Sequence, residues 1–139
     1  MKFILITFIS ILGFNSYADD NCTATKKTSI CTEESVKEKV EWACKLLESK
    51  GKDSLAEINT MRFDCCGEPN YVWINDMGPK MIQHPVKKDL NGQDLSTKED
   101  PKGKKLFVEF VNAVKKTPSG AWVDYMWPKY GEKEATPKK

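Results

Sequence analysis

The chain has 139 residues, enough for one domain with its own hydrophobic core and too few for two of typical size. Its 22 basic and 20 acidic residues give a net charge of +2, and both signs are mixed along the chain. A nucleic-acid surface needs clustered positive charge, so this composition argues against a nucleic-acid partner. The basic residues include a single arginine, Arg62, whose planar guanidinium suits a bound carboxylate or a surface salt bridge equally well.

Positions 1–18 have the pattern of a secretory signal peptide. Lys2 supplies a positive start, Phe3–Phe14 is an apolar run, and small residues precede a cleavage site after Ala18. The apolar run is shorter than the roughly 20 residues needed to span a bilayer. The sequence therefore predicts a periplasmic or secreted protein, with an uncleaved N-terminal membrane anchor as the alternative.

Five cysteines follow the predicted cleavage site: Cys22, Cys31, Cys44, Cys65 and Cys66. In an exported protein we expect cysteines to form disulfides, although an odd number leaves one over. The adjacent Cys65 and Cys66 are poorly placed to bond to each other, so we expect them to pair with two of the other three. No CxxC motif supports a haem or zinc site, and we predict neither a metal nor a cofactor.

Two helices are predicted after a polar segment, 19–31. Thr32 is suited to cap the first helix and Gly51 to end it. The apolar stripe of this helix recurs at spacings of three and four residues and comprises Val36, Val40, Ala43 and Leu47. A second, shorter helix is expected to start at Asp53 or Ser54 and to carry Leu55, Ile58 and Met61.

A β-hairpin is predicted next. YVWIND, residues 71–76, is aromatic and β-branched and favours a strand, MGP turns the chain, and KMIQH, residues 80–84, forms the returning strand. Alternate residues of the first strand should point to opposite faces. Pro85 lacks a backbone donor and should end the second strand at His84.

His84 is the only histidine of the chain. A metal ligand would need partner ligands at a defined spacing, and none is nearby in sequence. A general base would need an aligned nucleophile, and no Ser/His/Asp or Cys/His pattern is present. Two interpretations stay open: a side chain that donates a hydrogen bond to a ligand, or a residue that ends a strand and satisfies nearby backbone groups.

The second half of the chain predicts a long connection, a helix and a strand. Residues 86–100 are polar, and loops of that length often bind ligands. Asp100 and Pro101 are expected to start a helix as N-cap and first residue. The strand AWVDYMWPK ends at Pro128, and a polar tail without a strand follows at 131–139. The buried face of the helix is predicted to be Leu106, Phe107, Phe110, Val111 and Val114.

Helices, a hairpin, a helix and a strand define an α+β domain at 32–130. A long N-terminal helix would pack on a small antiparallel sheet that lacks its last strands. We expect one domain, because the length allows only one and no internal repeat is visible.

Three segments in this order, YVWINDMGPKMIQHPVKKDLNGQDL, DPKGKKLFVEFVNAVKK and GAWVDYMWPK, resemble the single Cache domain family, found outside the membrane in bacterial chemoreceptors and sensor kinases. The resemblance runs from Thr32 to Pro128. It implies a PAS-like sheet with a small organic acid bound between the sheet and its covering loops. The chain departs from the family pattern because the closing strands after WPK, and any membrane-spanning or signalling module, are not recognisable.

The resemblance and the residue types together nominate six ligand-binding side chains: Arg62, Trp73, His84, Tyr125, Trp127 and Lys129. The aromatic residues could equally be plain core, and Lys129 could be solvated. We expect a non-enzymatic domain that binds or senses a small organic carboxylate, with a membrane receptor or sensor kinase as a further candidate partner. The alternative is a disulfide-tied interaction module with the same fold and no working pocket.

Overall fold

The computed structural model describes residues 32–65 and 68–139. Helix α1, Glu33–Lys50, begins with a capping box, in which Thr32 Oγ1 accepts a hydrogen bond from the Ser35 N–H at 3.1 Å and Ser35 Oγ accepts one from the Thr32 N–H. Gly51 ends α1 with φ of 57°, a left-handed conformation that favours glycine. Helix α2, Leu55–Thr60, follows one 3₁₀ turn later. Both predicted helices are confirmed.

The described strands form three antiparallel pairs. β1, Phe63–Cys65, pairs with β2, Glu68–Asn70; β3, Ile74–Asn75, pairs with β4, Met81–Gln83; and β5, Tyr125–Pro128, pairs with β6, Ala135–Lys138. The third helix, α3, spans Leu106–Lys116. The α+β class with a long N-terminal helix is therefore confirmed.

The predicted hairpin is present but shorter than expected, because an irregularity between Ile74 and Asn75 shifts the register of the β3–β4 pair. Its turn is closed by Asp76, whose Oδ1 accepts hydrogen bonds from the Gly78 N–H at 2.8 Å and the Lys80 N–H at 2.7 Å. Asp76 is thus a turn residue.

The segment 71–74 separates two hydrophobic cores. Its odd-numbered side chains, Tyr71 and Trp73, enter a core shared with α3 and β5, which we call the aromatic core. Its even-numbered side chains, Val72 and Ile74, enter a core shared with α1 and α2, which we call the helix-side core. The predicted alternation is therefore confirmed, and both faces of this segment are buried.

The predicted start of the third helix at Asp100 is wrong. Gly103 has φ of 76°, which interrupts any helix through 100–104, and α3 begins only at Leu106. Asp100 instead closes a turn, with Oδ1 accepting from the Lys102 and Lys104 N–H groups at 2.9 and 3.0 Å. Its Oδ2 accepts from the Met126 N–H at 2.9 Å and ties this turn to β5. The five-residue buried face predicted for α3 is confirmed.

The prediction that the tail contains no strand is also wrong. β6 pairs with β5 in a register that sets Tyr125 opposite Lys138 and Trp127 opposite Thr136. The sequence of β6, ATPK, has no apolar alternation. Strand pairing through backbone groups does not require such a pattern. The polar composition therefore hides a strand from sequence analysis.

Several predictions lie outside the described residues. The signal peptide, Cys22, Cys31 and Cys66 belong to positions without a description, and the side chain of Cys65 is not described either. Cys44 lies half-buried on α1. Within 32–65 and 68–139, no helix combines the length and the apolar character that a bilayer crossing requires. The disulfides, the signal peptide and the domain boundaries stay predictions.

Replacing Asp100 tests its role as the link to β5. We expect Asp100→Ala to lower the free energy of unfolding by about 1–3 kcal/mol, because buried backbone donors lose their acceptor. Burial alone would raise the pKa of Asp100, but the N–H groups of Lys104, Met126 and Lys102 outweigh it and lower that pKa. The stabilisation is therefore present above pH ~4 and is lost as the pH falls through the lowered pKa.

Urea denaturation at neutral and acidic pH measures both effects. Asp94→Ala is the matched control, since Asp94 is exposed and its Oδ1 accepts from the Ser96 N–H in a local turn. A loss in the Asp100 variant no larger than in the Asp94 variant would contradict the assignment.

Candidate functional site

A narrow cavity lies inside the aromatic core. The β3–β4 hairpin, α3 and β5 supply its walls, and its empty volume is about 160 Å³ counting the open space at its mouth. The space between the side chains is too narrow to hold a water molecule. We call it the aromatic cavity, and its lining residues are Trp73, His84, Leu106, Phe107, Tyr125 and Trp127.

His84 contributes a ring whose protonation state is set by the backbone. Its Nδ1 accepts hydrogen bonds from the Lys87 N–H at 2.9 Å and from the Val86 N–H at 3.2 Å. An imidazole nitrogen that accepts hydrogen bonds carries no proton, so the neutral ring holds its proton on Nε2. His84 therefore offers a hydrogen-bond donor and has no free lone pair for use as a base.

The surroundings of His84 keep it uncharged. The side chain is 1% exposed, and the rings of Tyr71, Trp73 and Trp127 lie 5.1, 6.1 and 6.0 Å from its centroid. Burial, helped by the positive charges of Lys87 and Arg62 and opposed by Asp89, lowers the pKa of His84 to about 4. At neutral pH the ring is thus a neutral donor.

Trp73 places a second donor in the wall. Its Nε1 is buried, and no acceptor for it is found among residues 32–65 and 68–139. A buried donor without a partner costs roughly 1–3 kcal/mol, so such groups often mark a place where another molecule binds. The ring itself packs against His84 and meets Tyr125 edge-on at 6.4 Å.

Trp127 joins the cavity to a positive charge. The Nζ atom of Lys87 lies 5.2 Å from the Trp127 ring centroid, within cation–π range. The indole N–H of Trp127 hydrogen-bonds to Tyr71, and this bond partly offsets the rise in the Tyr71 pKa that burial causes. Trp127 is therefore held on both sides, by a hydroxyl and by an ammonium group.

The structure brings four of the six candidate side chains together: Trp73, His84, Tyr125 and Trp127. Arg62 is exposed and does not line the cavity; its Nη1 donates to the carbonyls of Asn59 and Met61 at 2.8 and 2.7 Å. Lys129 is half-buried just after β5, and it does not line the cavity either. A ligand-binding role for the six residues stays a prediction.

Sequence reasoning missed Lys87 as a candidate. The residue lies in the polar stretch after Pro85 beside a second lysine, Lys88, and nothing in the sequence separates the two. The distinguishing feature is spatial: Lys88 is exposed in a short 3₁₀ turn, whereas Lys87 is half-buried over Trp127. Only the packing of the folded chain distinguishes Lys87 from Lys88.

The described side chains offer no metal-binding constellation. Within the parts of the chain that the structure describes, no group of three or more His, Cys, Asp or Glu residues lies close enough to hold a metal ion. The aromatic cavity presents rings and N–H donors, a chemistry suited to holding an anion or a polar small molecule in place.

Residues 7–139 match a family model described as a Cache domain, of the dCache_2 type. The chain belongs to the Cache domain family. Methyl-accepting chemotaxis protein McpP of Pseudomonas putida (strain KT2440) is 40% identical over 91 residues, which make up 66% of this chain and 16% of that protein. This Cache chain therefore spans about one sixth of the length of the curated relative.

Two solved structures resemble this Cache domain. One is a periplasmic sensor domain of a chemotaxis protein, with 36% identity and a TM-score of 0.59 over 75% of this chain and 74% of that one. The other is a Cache chemosensory domain described for carboxylic acid recognition, with 35% identity and a TM-score of 0.58 over 75% and 73%. The predicted Cache membership is confirmed, and the single-domain subtype stays a prediction.

Stability should depend on pH through His84. Because its pKa is about 4 in the folded chain and near 6.5 when unfolded, only the unfolded state takes up a proton between these values. The free energy of unfolding should therefore fall by about 2 kcal/mol between pH 7 and pH 5.

Urea denaturation of His84→Asn checks this, since the asparagine Oδ1 can still accept from the two backbone N–H groups. The variant has no histidine, so its stability should change much less over the same interval. An equal pH dependence in both proteins would show that another group is responsible.

Proposed function

We propose that this Cache domain binds a small organic carboxylate outside the cytoplasm and serves as a sensing domain without catalysing a reaction. The observation that carries the proposal is the pair of buried N–H donors, His84 Nε2 and Trp73 Nε1, in the walls of one aromatic cavity. The relative described for carboxylic acid recognition supports the ligand class, and the periplasmic sensor domain supports the location.

The polarity of the walls favours an anion over a cation. His84 and Trp73 each offer an N–H, and the charges that act on His84 include two cations, Lys87 and Arg62, against one carboxylate, Asp89. Hydrogen bonds from neutral donors to a carboxylate are stronger than those to a neutral acceptor. An ammonium ligand would be repelled by the nearby lysine.

The apolar walls favour a short ligand. Six packed side chains leave too little space for water, so a bound molecule must displace rings such as Trp73 or Trp127 as it enters. Displacing a few tightly packed rings is feasible for a small acid and increasingly costly for a long one. A short alkyl chain would replace ring–ring contacts with contacts of similar polarity.

The absence of catalysis is proposed on the state of His84. Both backbone N–H groups point at Nδ1, and the lowered pKa leaves the ring a poor proton acceptor near neutral pH. His84 is therefore poorly suited to act as a general base, because its Nδ1 already accepts hydrogen bonds from the backbone.

The alternative function, an interaction module without a working pocket, is favoured by one observation, the narrowness of the cavity. If that function is correct, no small molecule will stabilise the fold, and partner binding will survive changes to the cavity walls. Ligand screening therefore distinguishes the two.

A thermal-shift screen with acetate, propionate and larger acids tests the proposal, because a ligand of the folded state raises the melting temperature with concentration. We expect Trp73→Phe to weaken binding of the best acid about tenfold, since it removes one N–H donor and keeps the aromatic ring.

Trp122→Phe is the matched control, because Trp122 is 39% exposed and does not line the cavity. It should leave affinity unchanged. If no acid raises the melting temperature of the wild-type chain, the proposed function is wrong.

A further inference from the structure

Lys87 is positioned at the aromatic cavity by both its backbone and its side chain. Its N–H donates to His84 Nδ1 at 2.9 Å, so the main chain is fixed against one wall. Its Nζ lies 5.2 Å from the Trp127 ring centroid, so the ammonium rests on another wall. Lys87 therefore contacts two residues that line the same cavity, His84 through its backbone and Trp127 through its side chain.

The charge of Lys87 acts on His84, which lines the cavity. After burial itself, Lys87 is the strongest influence on the titration of His84, ahead of Asp89 and Arg62. Among residues 32–65 and 68–139, no carboxylate lies within ion-pair distance of Lys87. An ammonium group that rests on a ring contacts it from one side, and its N–H groups on the other side can still donate to an anion.

Arg62, one of the two cations nominated from sequence, is less suited to the task. Its Nη1 already donates to the carbonyls of Asn59 and Met61 at the end of α2. The half-buried position of Lys87 also matters, because partial desolvation strengthens an ion pair relative to one on the open surface.

We propose that Lys87 is the cation that receives the ligand carboxylate and that it makes the aromatic cavity select acids over neutral molecules of the same shape. This inference rests on the proposed function, since it assigns the charge partner of the same site. The rings would accept the alkyl part, His84 and Trp73 would donate to the carboxylate, and Lys87 would balance its charge.

The test compares propionate with propionamide, which has nearly the same shape and no charge. Isothermal titration of the full chain at low and high salt measures both affinities. For the wild-type chain we expect propionate to bind at least tenfold more tightly than propionamide, and to weaken as salt screens the ion pair.

Lys87→Gln should reduce propionate affinity about tenfold, leave propionamide affinity nearly unchanged and remove most of the salt dependence. Lys87→Arg keeps the charge and the ring contact and should retain most of the preference for the acid. Lys88→Gln removes the same charge from the neighbouring exposed position, and it should behave as the wild-type chain does.

Two results would overturn the inference while leaving the proposed function intact. One is wild-type propionate affinity in Lys87→Gln; the other is loss of acid preference in Arg62→Gln or Lys129→Gln instead. If the wild-type chain binds neither compound nor any other acid, the proposed function itself fails, and the assignment of Lys87 fails with it.

Discussion

The cavity depends on the hydrogen bonds that His84 Nδ1 accepts from Val86 and Lys87. Pro85, between His84 and Val86, prevents the strand from continuing. Backbone donors that follow the end of a strand need acceptors when they are buried. The ring supplies that acceptor within the chain itself, and Asn91 Oδ1 accepts from the His84 N–H at 2.7 Å on the other side. One buried ring thereby fixes its own tautomer, closes the turn after β4 and sets the position of Lys87.

The hairpin that carries His84 is also the boundary between two cores. Trp73 and Met81 face the aromatic core, whereas Ile74 and Ile82 face the helix-side core. Gln83, next to His84, donates through Nε2 to the Leu55 carbonyl at the start of α2 at 2.7 Å. The wall of the cavity and the surface that packs against the helices are therefore two faces of one short segment, and side-chain alternation along a strand makes this arrangement possible.

Sequence analysis predicted the parts of this molecule whose signals are local or periodic. The cap at Thr32, the end of α1 at Gly51, the alternation at 71–74 and the buried face of α3 all follow from patterns within a few residues. The resemblance to a family, rather than any local pattern, placed Trp73, His84, Tyr125 and Trp127 in one site.

The wrong and missed predictions have a common physical cause, which is contact between segments distant in sequence. Asp100 and Pro101 have the residue types of a helix start, but the carboxylate is used by Met126, 26 residues away, and by a turn that Gly103 permits. β6 was missed because its pairing with β5 uses backbone groups and needs no apolar side-chain pattern. Lys87 and Lys88 are equivalent in sequence and differ only in which of them lies over Trp127.

The same long-range packing explains why the cavity, although mostly apolar, is suited to a charged guest. Moving a carboxylate out of water is costly unless donors and an opposite charge replace its hydration. A charged histidine could neutralise it, but burial keeps His84 neutral and leaves it as a directional donor. The neutralising charge must therefore come from a side chain that reaches the rings while keeping contact with solvent. A half-buried lysine resting on Trp127 meets both conditions, because its long apolar stem can pack while its ammonium group stays near water.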